Sequence, residues 1–553
     1  MEWKKLLSQG LMGDPTKLED EMLNNIPVNP FEQDYLKLVS WAAYRRLQDK
    51  TQVFPLAKSD FVRTRLTHSM EVSTIAKQLG IMCFQGPKKS RYSRLPLDAD
   101  EKGEGAADLM AERAVSIPAI LACAGLLHDL GNPPFGHAGE DIIGQWFKQN
   151  LDTLMDPCTG KRLRELFKDK PVHVSDLESF EGNAQALRIL CKARYGSEIN
   201  LHQATVSAMI KYPTFSNQTQ KHGPAYRHKP GCYQAEQEAF KGLVDALGTE
   251  NSDGAARHPL AYLVEAADDI AYRTADLEDA VKSGVVSMGE LAGYLKPIAD
   301  KLLLAYCNGV TDIEELKMLA EEPSELSKRR EGWRIKDIPK DIPKDVNGQM
   351  PPAYFTHKLI NKLSSLSDRP GDKTRAMSDW VVEARRWLMY VATFGFCSNY
   401  DRIMDGTYEH DLFAGTFHEL TVVLLKQAMK DLVYGSRVIV EPEVSAQTIL
   451  SFLLEKFVPA MIAWGTESER TAQQKKLIGL ISPNYLEDFR RATDAIWEEA
   501  DAAQKKDEDG RRQVILNHAQ DLVYQSILIA TDFISGMTDG YARSLYRRMS
   551  GID

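Results

Sequence analysis

Metal-binding side chains are the most informative feature of this sequence: His68, the adjacent pair His128 and Asp129, and the distant Asp268. Two imidazoles and two carboxylates can hold one divalent ion, because such ligands suit manganese, iron, zinc, nickel or, less well, magnesium. The His-Asp pair follows an apolar helical run and precedes Gly, Asn and two prolines. Neighbouring helical residues point about 100° apart, so the pair can share an ion only at a helix end. The sequence predicts a metal site and a metal-dependent reaction.

An arginine precedes the first histidine by one helical turn. Arg65 lies three residues before His68, so the two side chains share one helix face. A metal ion beside a guanidinium suits a phosphate ester, whose oxygens the planar group binds in two places. The alternative is that Arg63 and Arg65 form surface ion pairs with acidic neighbours such as Glu71. Beside a predicted ligand, we favour phosphate binding.

A second histidine and a glutamate follow the His-Asp pair. His137 and Glu140 are three residues apart, so the carboxylate can reach the imidazole across one helical turn. Such a pair is typical of general acid/base catalysis, because the carboxylate orients the ring and raises its basicity. The alternative is a histidine at a helix start with an exposed glutamate that favours the helix dipole. The nearby metal site favours the catalytic pair.

One helix stripe carries three polar side chains of different chemistry. Asp268, Tyr272 and Asp276 are spaced by four residues, which keeps them on one side of a helix. Such a stripe can contact a metal ion, a phosphate oxygen and a sugar hydroxyl along an elongated substrate. On this segment alone, an acidic solvated helix is the simpler interpretation. The histidines and the His-Asp pair elsewhere favour the binding stripe.

Two further polar residues are candidates for substrate binding. Lys211 ends a predicted helical run, from which its ammonium group can bind a polyphosphate. Gln52 lies in a polar segment and can read a sugar or a base by hydrogen bonds. The alternative for both is an ordinary solvated side chain.

Composition bounds the class of protein. The 553 residues are 43% hydrophobic and 26% charged, so the chain is expected to fold with a large core. A formal charge of −10 gives no general attraction to nucleic acid or anionic lipid. Scattered cysteines without a Cys-x-x-Cys pair suit a reducing compartment. No signal peptide is apparent, and residues 114–127 are too short to span a bilayer. We expect a cytoplasmic protein with no membrane partner.

The apolar pattern predicts an all-α fold. Apolar residues recur at helical spacing almost throughout, and residues 376–553 form long helical patterns without metal ligands. Loops or insertions rich in proline, glycine and polar residues are predicted as surface excursions at 85–104, 213–232 and 321–352. Residues 436–442, which end in Pro442, are predicted as a short extended piece.

Five segments together resemble the HD-domain superfamily of metal phosphohydrolases, and specifically its deoxyguanosine triphosphate triphosphohydrolase branch. The segments are RRLQDKTQVFP from Arg45, RTRLTHS from Arg63, GLLHDLGNPPFGH from Gly125, FEGNAQ from Phe180 and EAADDIAY from Glu265. They occur in order between about residues 35 and 280. As a set they are highly specific.

The resemblance implies a helical enzyme that hydrolyses a dNTP, with dGTP preferred, to a deoxynucleoside and inorganic triphosphate. Water would attack the α-phosphorus, and one divalent metal ion would be the cofactor. Mn²⁺ or Mg²⁺ is expected, with Fe, Ni, Co or Zn as alternatives. The implied metal ligands are His68, His128, Asp129 and Asp268.

The resemblance also implies roles for the other site residues. His137 would protonate the departing 5′ oxygen, supported by Glu140. The remaining implied contacts are Arg65, Lys211 and Tyr272 with phosphates, Asp276 and Gln52 with the deoxyribose near its 3′-hydroxyl, and Asn183 as a pocket residue. Residues that read the base are not identified in this way.

The implied organisation has four parts. An N-terminal segment at 1–34 precedes an HD-domain catalytic core at 35–290, a helical and loop region at 291–375 and a C-terminal helical subdomain at 376–553. A homo-oligomer, with six subunits by family habit, and a single-stranded DNA effector are implied partners. The alternatives are another HD-type phosphohydrolase (a nucleotidase, a phosphodiesterase or a guanosine-tetraphosphate hydrolase) and a non-catalytic nucleotide- or nucleic-acid-binding regulator.

Overall fold

The regular structure of the protein is helical, as predicted. A computed structural model describes residues 1–12, 29–54, 61–85, 106–193, 199–321, 338–339, 342–345 and 348–552, apart from residues 506 and 508. Within these ranges, the strands form one antiparallel hairpin, in which β1 (Glu250–Asn251) pairs with β2 (Gly254–Ala255). The prediction of an all-α fold is confirmed.

Helices account for both halves of the described chain. Up to residue 282 the α-helices are α1 Trp3–Leu6, α2 Pro30–Ser40, α3 Ala42–Arg45, α4 Arg65–Phe84, α5 Ala106–Leu127, α6 Gly136–Asn150, α7 Leu163–Leu166, α8 Pro171–Glu178, α9 Gly182–Ala193, α10 Gln203–Met209, α11 Gln237–Leu247 and α12 Pro259–Lys282. Beyond it they are α13 Met288–Cys307, α14 Ile313–Glu321, α15 Pro352–Asp368, α16 Lys373–Ser398, α17 Tyr400–Met404, α18 Glu419–Met429, α19 Arg437–Gly465, α20 Ala472–Ile478, α21 Pro483–Ala492, α22 Asp494–Gln504, α23 Gly510–Asn517, α24 Ala519–Ser535 and α25 Asp539–Ser550. Short 3₁₀ turns occupy Arg46–Asp49, Ser216–Gln218, Ala225–Arg227 and Gln234–Glu236, and a π-helical turn spans Lys430–Tyr434.

Three packed helices bring the predicted metal ligands together. Helix α4 packs along α5, and α12 contacts both. A capping box between Thr64 and Thr67 starts α4, which places His68 in its first turn. Helix α5 ends at Leu127, directly before His128. Asp268 lies in the middle of α12. The ligands therefore come from one helix start, one helix end and one helix interior.

The buried apolar side chains of the described residues form three clusters that do not follow chain order. One cluster joins Trp146 and Phe147 of α6 to Phe457 of α19 and Tyr524 of α24. Another joins residues 3–12 to α4, α5 and the end of α16. The polypeptide on both sides of residue 376 thus contributes to shared cores. The division of the chain at residues 35, 291 and 376 stays a prediction.

The prediction of an extended piece at 436–442 is wrong. Helix α19 begins at Arg437 and continues through Pro442. Proline removes one backbone hydrogen bond from a helix interior, but Ile439, Ala446 and Ile449 are buried at helical spacing. Burial of these side chains outweighs the local preference, because apolar burial contributes about 25 cal/mol per Å².

Helix α19 is also the longest apolar helix in the described residues. Its length and composition would allow it to cross a membrane, yet 61% of its most apolar window is buried inside the protein. It packs against α24, α6 and α25. These contacts are those of a core helix.

The predicted insertions have different outcomes. Residues 86–105 and most of 322–341 lie outside the described residues. The segment 213–232 is described, and its interpretation as a surface excursion is wrong in part, because Ser216, Tyr226 and Cys232 are buried. Ser216 donates a hydrogen bond to the buried carboxylate of Asp176, which holds the segment against the core.

A close helix approach next to the His-Asp pair gives a stability prediction. A Cβ on Gly131 would collide with the carbonyl oxygen of Gly182 and the amide of Ala186 at the start of α9. We expect Gly131→Ala to destabilise the protein by about 1–3 kcal/mol, as overpacking does, and to lower the thermal midpoint. Gly242→Ala is the matched control, since a Cβ there meets nothing within 4 Å. Equal midpoints for both variants would contradict the packing argument.

Candidate active site

A cavity of about 540 Å³ lies where α4, α5 and α12 meet. Its walls come from eight stretches of chain between residues 51 and 443. The lining includes Thr51, Gln52, Val53, Arg65, His128, Asp129, Asn132, Phe135, His137, Glu181, Asn183, Lys211, Tyr212, Lys229, Glu265, Asp268, Tyr272, Tyr434, Ile439 and Glu443. Most predicted site residues are in this set.

Three of the four predicted metal ligands, His68, His128 and Asp268, form one compact group, called the metal group below. Nε2 of His68 is 3.1 Å from Oδ1 of Asp268, and Nε2 of His128 is 3.6 Å from the same oxygen. One ligand atom from each residue lies within 4.8 Å of the others. The two imidazole rings contact each other edge to face, with centroids 5.2 Å apart. This arrangement can bring two nitrogens and an oxygen to one ion.

The hydrogen bonding of the histidines fits a metal site. Nδ1 of His128 lies 2.8 Å from the carbonyl oxygen of Gly125, so Nδ1 carries a hydrogen and Nε2 is the nitrogen that can bind a metal ion. Nε2 of His128 and Nδ1 of His68 are buried without a hydrogen-bond partner among the described residues. Buried polar atoms are rarely left unpaired. A bound cation would satisfy the His128 nitrogen.

Electrostatics at this group also favours a cation. Burial lowers the pKa of His128, but the carboxylates of Asp129 and Asp268 outweigh it and raise that pKa to about 9. Burial alone would raise the pKa of Asp268. The neighbouring His128 and His68 have a larger, opposite effect, so the pKa of Asp268 lies well below its usual value. Without a metal, a proton on the imidazole balances the carboxylates. A divalent ion can take the place of that proton.

The fourth predicted ligand, Asp129, is held by its neighbours. Its Oδ2 accepts a hydrogen bond of 2.7 Å from Nη1 of Arg65 and lies 3.3 Å from Nε2 of His128. Its Oδ1 accepts a hydrogen bond from the side chain of Asn132. Burial would raise the pKa of Asp129, but the Arg65 guanidinium and then His128 hold it well below its usual value. Asp129 is thus an anion at the edge of the group, and its role as a ligand stays a prediction.

The predicted catalytic pair has the expected geometry. Nδ1 of His137 is 2.8 Å from Oε2 of Glu140, whose Oε1 accepts a hydrogen bond of 2.9 Å from the amide of Gly182. The His137 side chain is 70% exposed, whereas Glu140 is buried. The hydrogen bond and the charge of Glu140 raise the pKa of His137 above its ordinary value. An accessible imidazole that favours its protonated form can act as a general acid.

Two residues in left-handed conformation start the helix that carries this pair. Phe135 has φ of 65° and Gly136 has φ of 60°. A Cβ on Gly136 would crowd the guanidinium of Arg65, and other residues rarely adopt its positive φ, so glycine is favoured there. The turn aims His137 into the cavity that His128 and Asp268 also line.

Other predicted binding residues line the same cavity. Nζ of Lys211 pairs with Glu265 at 3.4 Å. Burial lowers the pKa of Lys211, but Glu265 outweighs it and the net pKa is raised, so the ammonium stays charged. The hydroxyl of Tyr272 bonds to that of Tyr434. Nδ2 of Asn183 donates to Glu181 at 2.8 Å.

Gln52 and Asp276 each carry a buried oxygen without a hydrogen-bond partner in the described part of the chain: Oε1 of Gln52 and Oδ2 of Asp276. Gln52 lines the cavity. Asp276 lies one turn of α12 beyond Tyr272 and is buried. Burial, with Asp279 nearby, raises the pKa of Asp276 well above its usual value, which favours a neutral carboxyl group. Unpaired oxygens of this kind can bind hydroxyl groups of a ligand.

The structure adds cavity residues that the sequence analysis did not single out. Lys229 lies in the segment predicted as an insertion, and its Nζ pairs with Glu181 at 2.8 Å. Tyr434 and Glu443 come from the π-helical turn and α19. A lone lysine among prolines and glycines carries no spacing signal. Glu181 lies in the FEGNAQ segment and could have been found there.

Comparisons with known proteins identify the family. No family model matches the chain. A deoxyguanosinetriphosphate triphosphohydrolase-like protein of Listeria innocua is 36% identical over the full length of both chains. Another protein of that name, from Pseudomonas aeruginosa, is 27% identical over 100% of this chain and 99% of its own. The deoxyguanosinetriphosphate triphosphohydrolase of Yersinia pestis is 34% identical over 53% of this chain and 57% of its own. The chain belongs to the deoxyguanosinetriphosphate triphosphohydrolase family.

Proposed function

We propose that the protein is a metal-dependent hydrolase of deoxynucleoside triphosphates that prefers dGTP and releases a deoxynucleoside and inorganic triphosphate. One observation carries the proposal: His128 and Asp268 of the metal group, His137 and the lysines Lys211 and Lys229 line one cavity. This combination suits an extended anion cleaved beside a metal ion. The names of the full-length relatives support the same substrate class.

His68, His128 and Asp268, with Asp129 beside them, would hold the divalent ion. When bound, such an ion supplies Lewis-acid activation of a phosphoryl group and of water. Mn²⁺ or Mg²⁺ is the ion we propose first, since half of the donors are carboxylates. Fe, Ni, Co and Zn are the alternatives, since the other donors are imidazoles.

The side chains of the cavity provide the remaining chemistry. Lys211 and Lys229 place two ammonium groups at the walls, where they can neutralise the outer phosphates. Tyr272 can donate its hydroxyl to a phosphate oxygen by giving up its bond to Tyr434. Arg65 binds Asp129 through Nη1. The Nε edge of its guanidinium can bind a phosphate oxygen, since Nε has no hydrogen-bond partner among the described residues.

Leaving-group protonation is assigned to His137. Cleavage between the α-phosphorus and the 5′ oxygen leaves an alkoxide, which needs a proton. His137 is exposed to the cavity and Glu140 favours its protonated form. Glu140 in turn is fixed by the amide of Gly182, so the imidazole is oriented by a buried carboxylate.

Sugar recognition is assigned to Gln52, which lines the cavity, and to Asp276, which is buried one turn of α12 beyond Tyr272. The unpaired Oε1 of Gln52 and the carboxyl group of Asp276 can bind the 3′-hydroxyl of a deoxyribose. Asn183, tied to Glu181, contributes a polar group to the pocket. A close fit at C2′ would exclude ribonucleotides.

Base selection is assigned to Glu443, whose carboxylate can accept hydrogen bonds from N1–H and the 2-amino group of guanine. Adenine lacks both donors. We expect Glu443→Gln to reduce the preference for dGTP over dATP, expressed as the ratio of kcat/KM values, by about tenfold or more, because a charged acceptor is lost. Glu441→Gln is the control, since Glu441 pairs with Arg437 on the exposed side of α19. An unchanged ratio in Glu443→Gln would remove Glu443 from base recognition.

The product of the reaction tests the proposal as a whole. Purified protein would be incubated with each of the four dNTPs and with GTP, in separate reactions with Mn²⁺, Mg²⁺ and Co²⁺, and the products resolved by anion-exchange chromatography. We expect deoxyguanosine and intact triphosphate from dGTP, and little reaction of GTP. Release of orthophosphate or pyrophosphate would instead indicate another nucleotide phosphohydrolase, and nucleotide binding without turnover would indicate a regulator.

Assembly and location complete the proposal. Val382, Trp387 and Tyr390 are exposed apolar side chains on α16, which supports a homo-oligomer, for which six subunits are the expected number. Light scattering would give the subunit number. A single-stranded DNA effector would change kcat when an oligonucleotide is added. The proposed location is the cytoplasm.

A further inference from the structure

The carboxylate of a residue near the C-terminal end of the chain binds two segments that line the candidate active site. Asp539, the first residue of α25, is 3% exposed. Its Oδ1 accepts a hydrogen bond of 2.9 Å from the amide of Phe135, and its Oδ2 accepts one of 3.0 Å from the amide of Thr51. The Thr51 hydroxyl also donates to Oδ2. Thr51 and Phe135 both line the cavity.

The bond to Phe135 supports an unfavourable backbone conformation. Phe135 is a bulky residue with φ of 65°, in the left-handed region that such side chains rarely adopt. It directly precedes α6, of which His137 is the second residue. Because strained residues persist only where their surroundings fix them, Asp539 helps to set where His137 lies.

A buried lysine makes a second link between the same parts. Lys50 is 4% exposed. Its Nζ donates to the carbonyl oxygen of Asn132 at 2.6 Å and to that of Ser535 at 2.7 Å. Ser535 ends α24, and the side chain of Asn132 bonds to Asp129. Lys50 therefore ties the turn after the His-Asp pair to the helix that precedes Asp539.

We infer that Asp539 and Lys50 are positioning residues for the reaction. Through their hydrogen bonds, the turn at 129–137, the loop at 50–53 and residues 535–539 keep fixed positions relative to one another. The inference rests on the proposed function, since it assigns these contacts to the placement of His137 and Gln52 in the same cavity. Neither side chain touches the reacting atoms in this scheme. Each acts through the backbone of a neighbour.

Double-substitution kinetics would test the inference. We expect Asp539→Ala to lower kcat by roughly tenfold to a hundredfold with little change in KM, because small misplacement of a catalytic group has effects of that size. In a His137→Ala background, Asp539→Ala should change kcat less than about twofold, because the group that it positions is already absent. An equal loss in both backgrounds would overturn the inference.

Asp539→Asn keeps the protein testable if the alanine variant does not fold. The amide oxygen can still accept the Phe135 hydrogen bond, but the NH₂ group then faces the Thr51 amide, so kcat should lie between the wild-type and alanine values. Asp521→Ala is the control, because Asp521 forms a partly exposed pair with Lys170. We expect wild-type kcat for this control. Wild-type kcat in both Asp539 variants would overturn the inference.

Hydrogen exchange separates failure of this inference from failure of the proposed function. Peptides covering 129–137 and 50–54 should exchange faster in Asp539→Asn and in Lys50→Met, while peptides from the middle of α4 keep wild-type protection. This measurement needs no substrate. Absence of triphosphate release from wild-type protein would remove the proposed function alone. Unchanged exchange at 129–137 would remove the positioning role alone.

Discussion

Joint replacement of His128 and Asp129 by alanine is expected to lower kcat by roughly three orders of magnitude or more, because the Lewis-acid contribution of the metal is lost. The metal group loses an imidazole whose Nε2 lies 3.6 Å from Oδ1 of Asp268. Arg65 at the same time loses the carboxylate that fixes it. Metal content by elemental analysis and triphosphate release with excess Mn²⁺ would be measured on the same sample.

The control for this pair is His518→Ala together with Glu499→Ala, which removes a histidine and a carboxylate that form an outer ion pair. We expect wild-type metal content and turnover for that variant. If the His128 and Asp129 double variant retained turnover at the wild-type rate, the assignment of the metal group would be refuted.

His137→Ala is expected to lower kcat by about 10²- to 10⁴-fold, the usual contribution of general acid/base catalysis. Metal content should remain that of the wild type, because His137 is outside the group of His68, His128 and Asp268. This difference separates loss of the acid from loss of the metal. His222→Ala, at an exposed position of the 213–232 segment, is the control. Equal kcat in the two variants would exclude His137 as the acid.

The pH dependence of kcat gives a directional test of the pair. Glu140 raises the pKa of His137, so the protonated acid persists to higher pH than an ordinary histidine would allow. Glu140→Gln removes the charge and should move the alkaline limb of the profile to lower pH. A limb that stayed in place, or moved to higher pH, would contradict the assignment.

The sequence predicted the metal group because each ligand belongs to a short local pattern. His68 lies in a helix start, His128 ends an apolar run, and Asp268 stands on a regular stripe with Tyr272. These patterns fix the local direction of each side chain. That His68, His128 and Asp268 lie within ligand distance is a result of packing between α4, α5 and α12, which the resemblance anticipated.

Residues brought in by tertiary structure were not predictable in the same way. Lys229, Glu443 and Asp539 lie in segments whose local pattern is that of a loop or a surface helix. Lys229 and Glu443 line the cavity, and Asp539 bonds to the lining residue Phe135, only because tertiary packing brings their segments to the site. The extended piece expected around Pro442 failed for a related reason, since burial of Ile439 within α19 outweighed the preference of proline. Local sequence reports conformation, whereas these positions depend on long-range packing.

The cluster that joins α6 to α19 and α24 limits how the protein can be divided. A fragment that stopped near residue 376 would leave Trp146, Phe147 and Leu151 without the apolar partners supplied by Phe457 and its neighbours. Exposed aromatic surface of that kind promotes aggregation. The predicted metal ligands all precede residue 376, yet the shorter polypeptide is expected to be a poor expression target. Truncations that remove roughly the last 100 residues should behave in cells as loss-of-protein alleles.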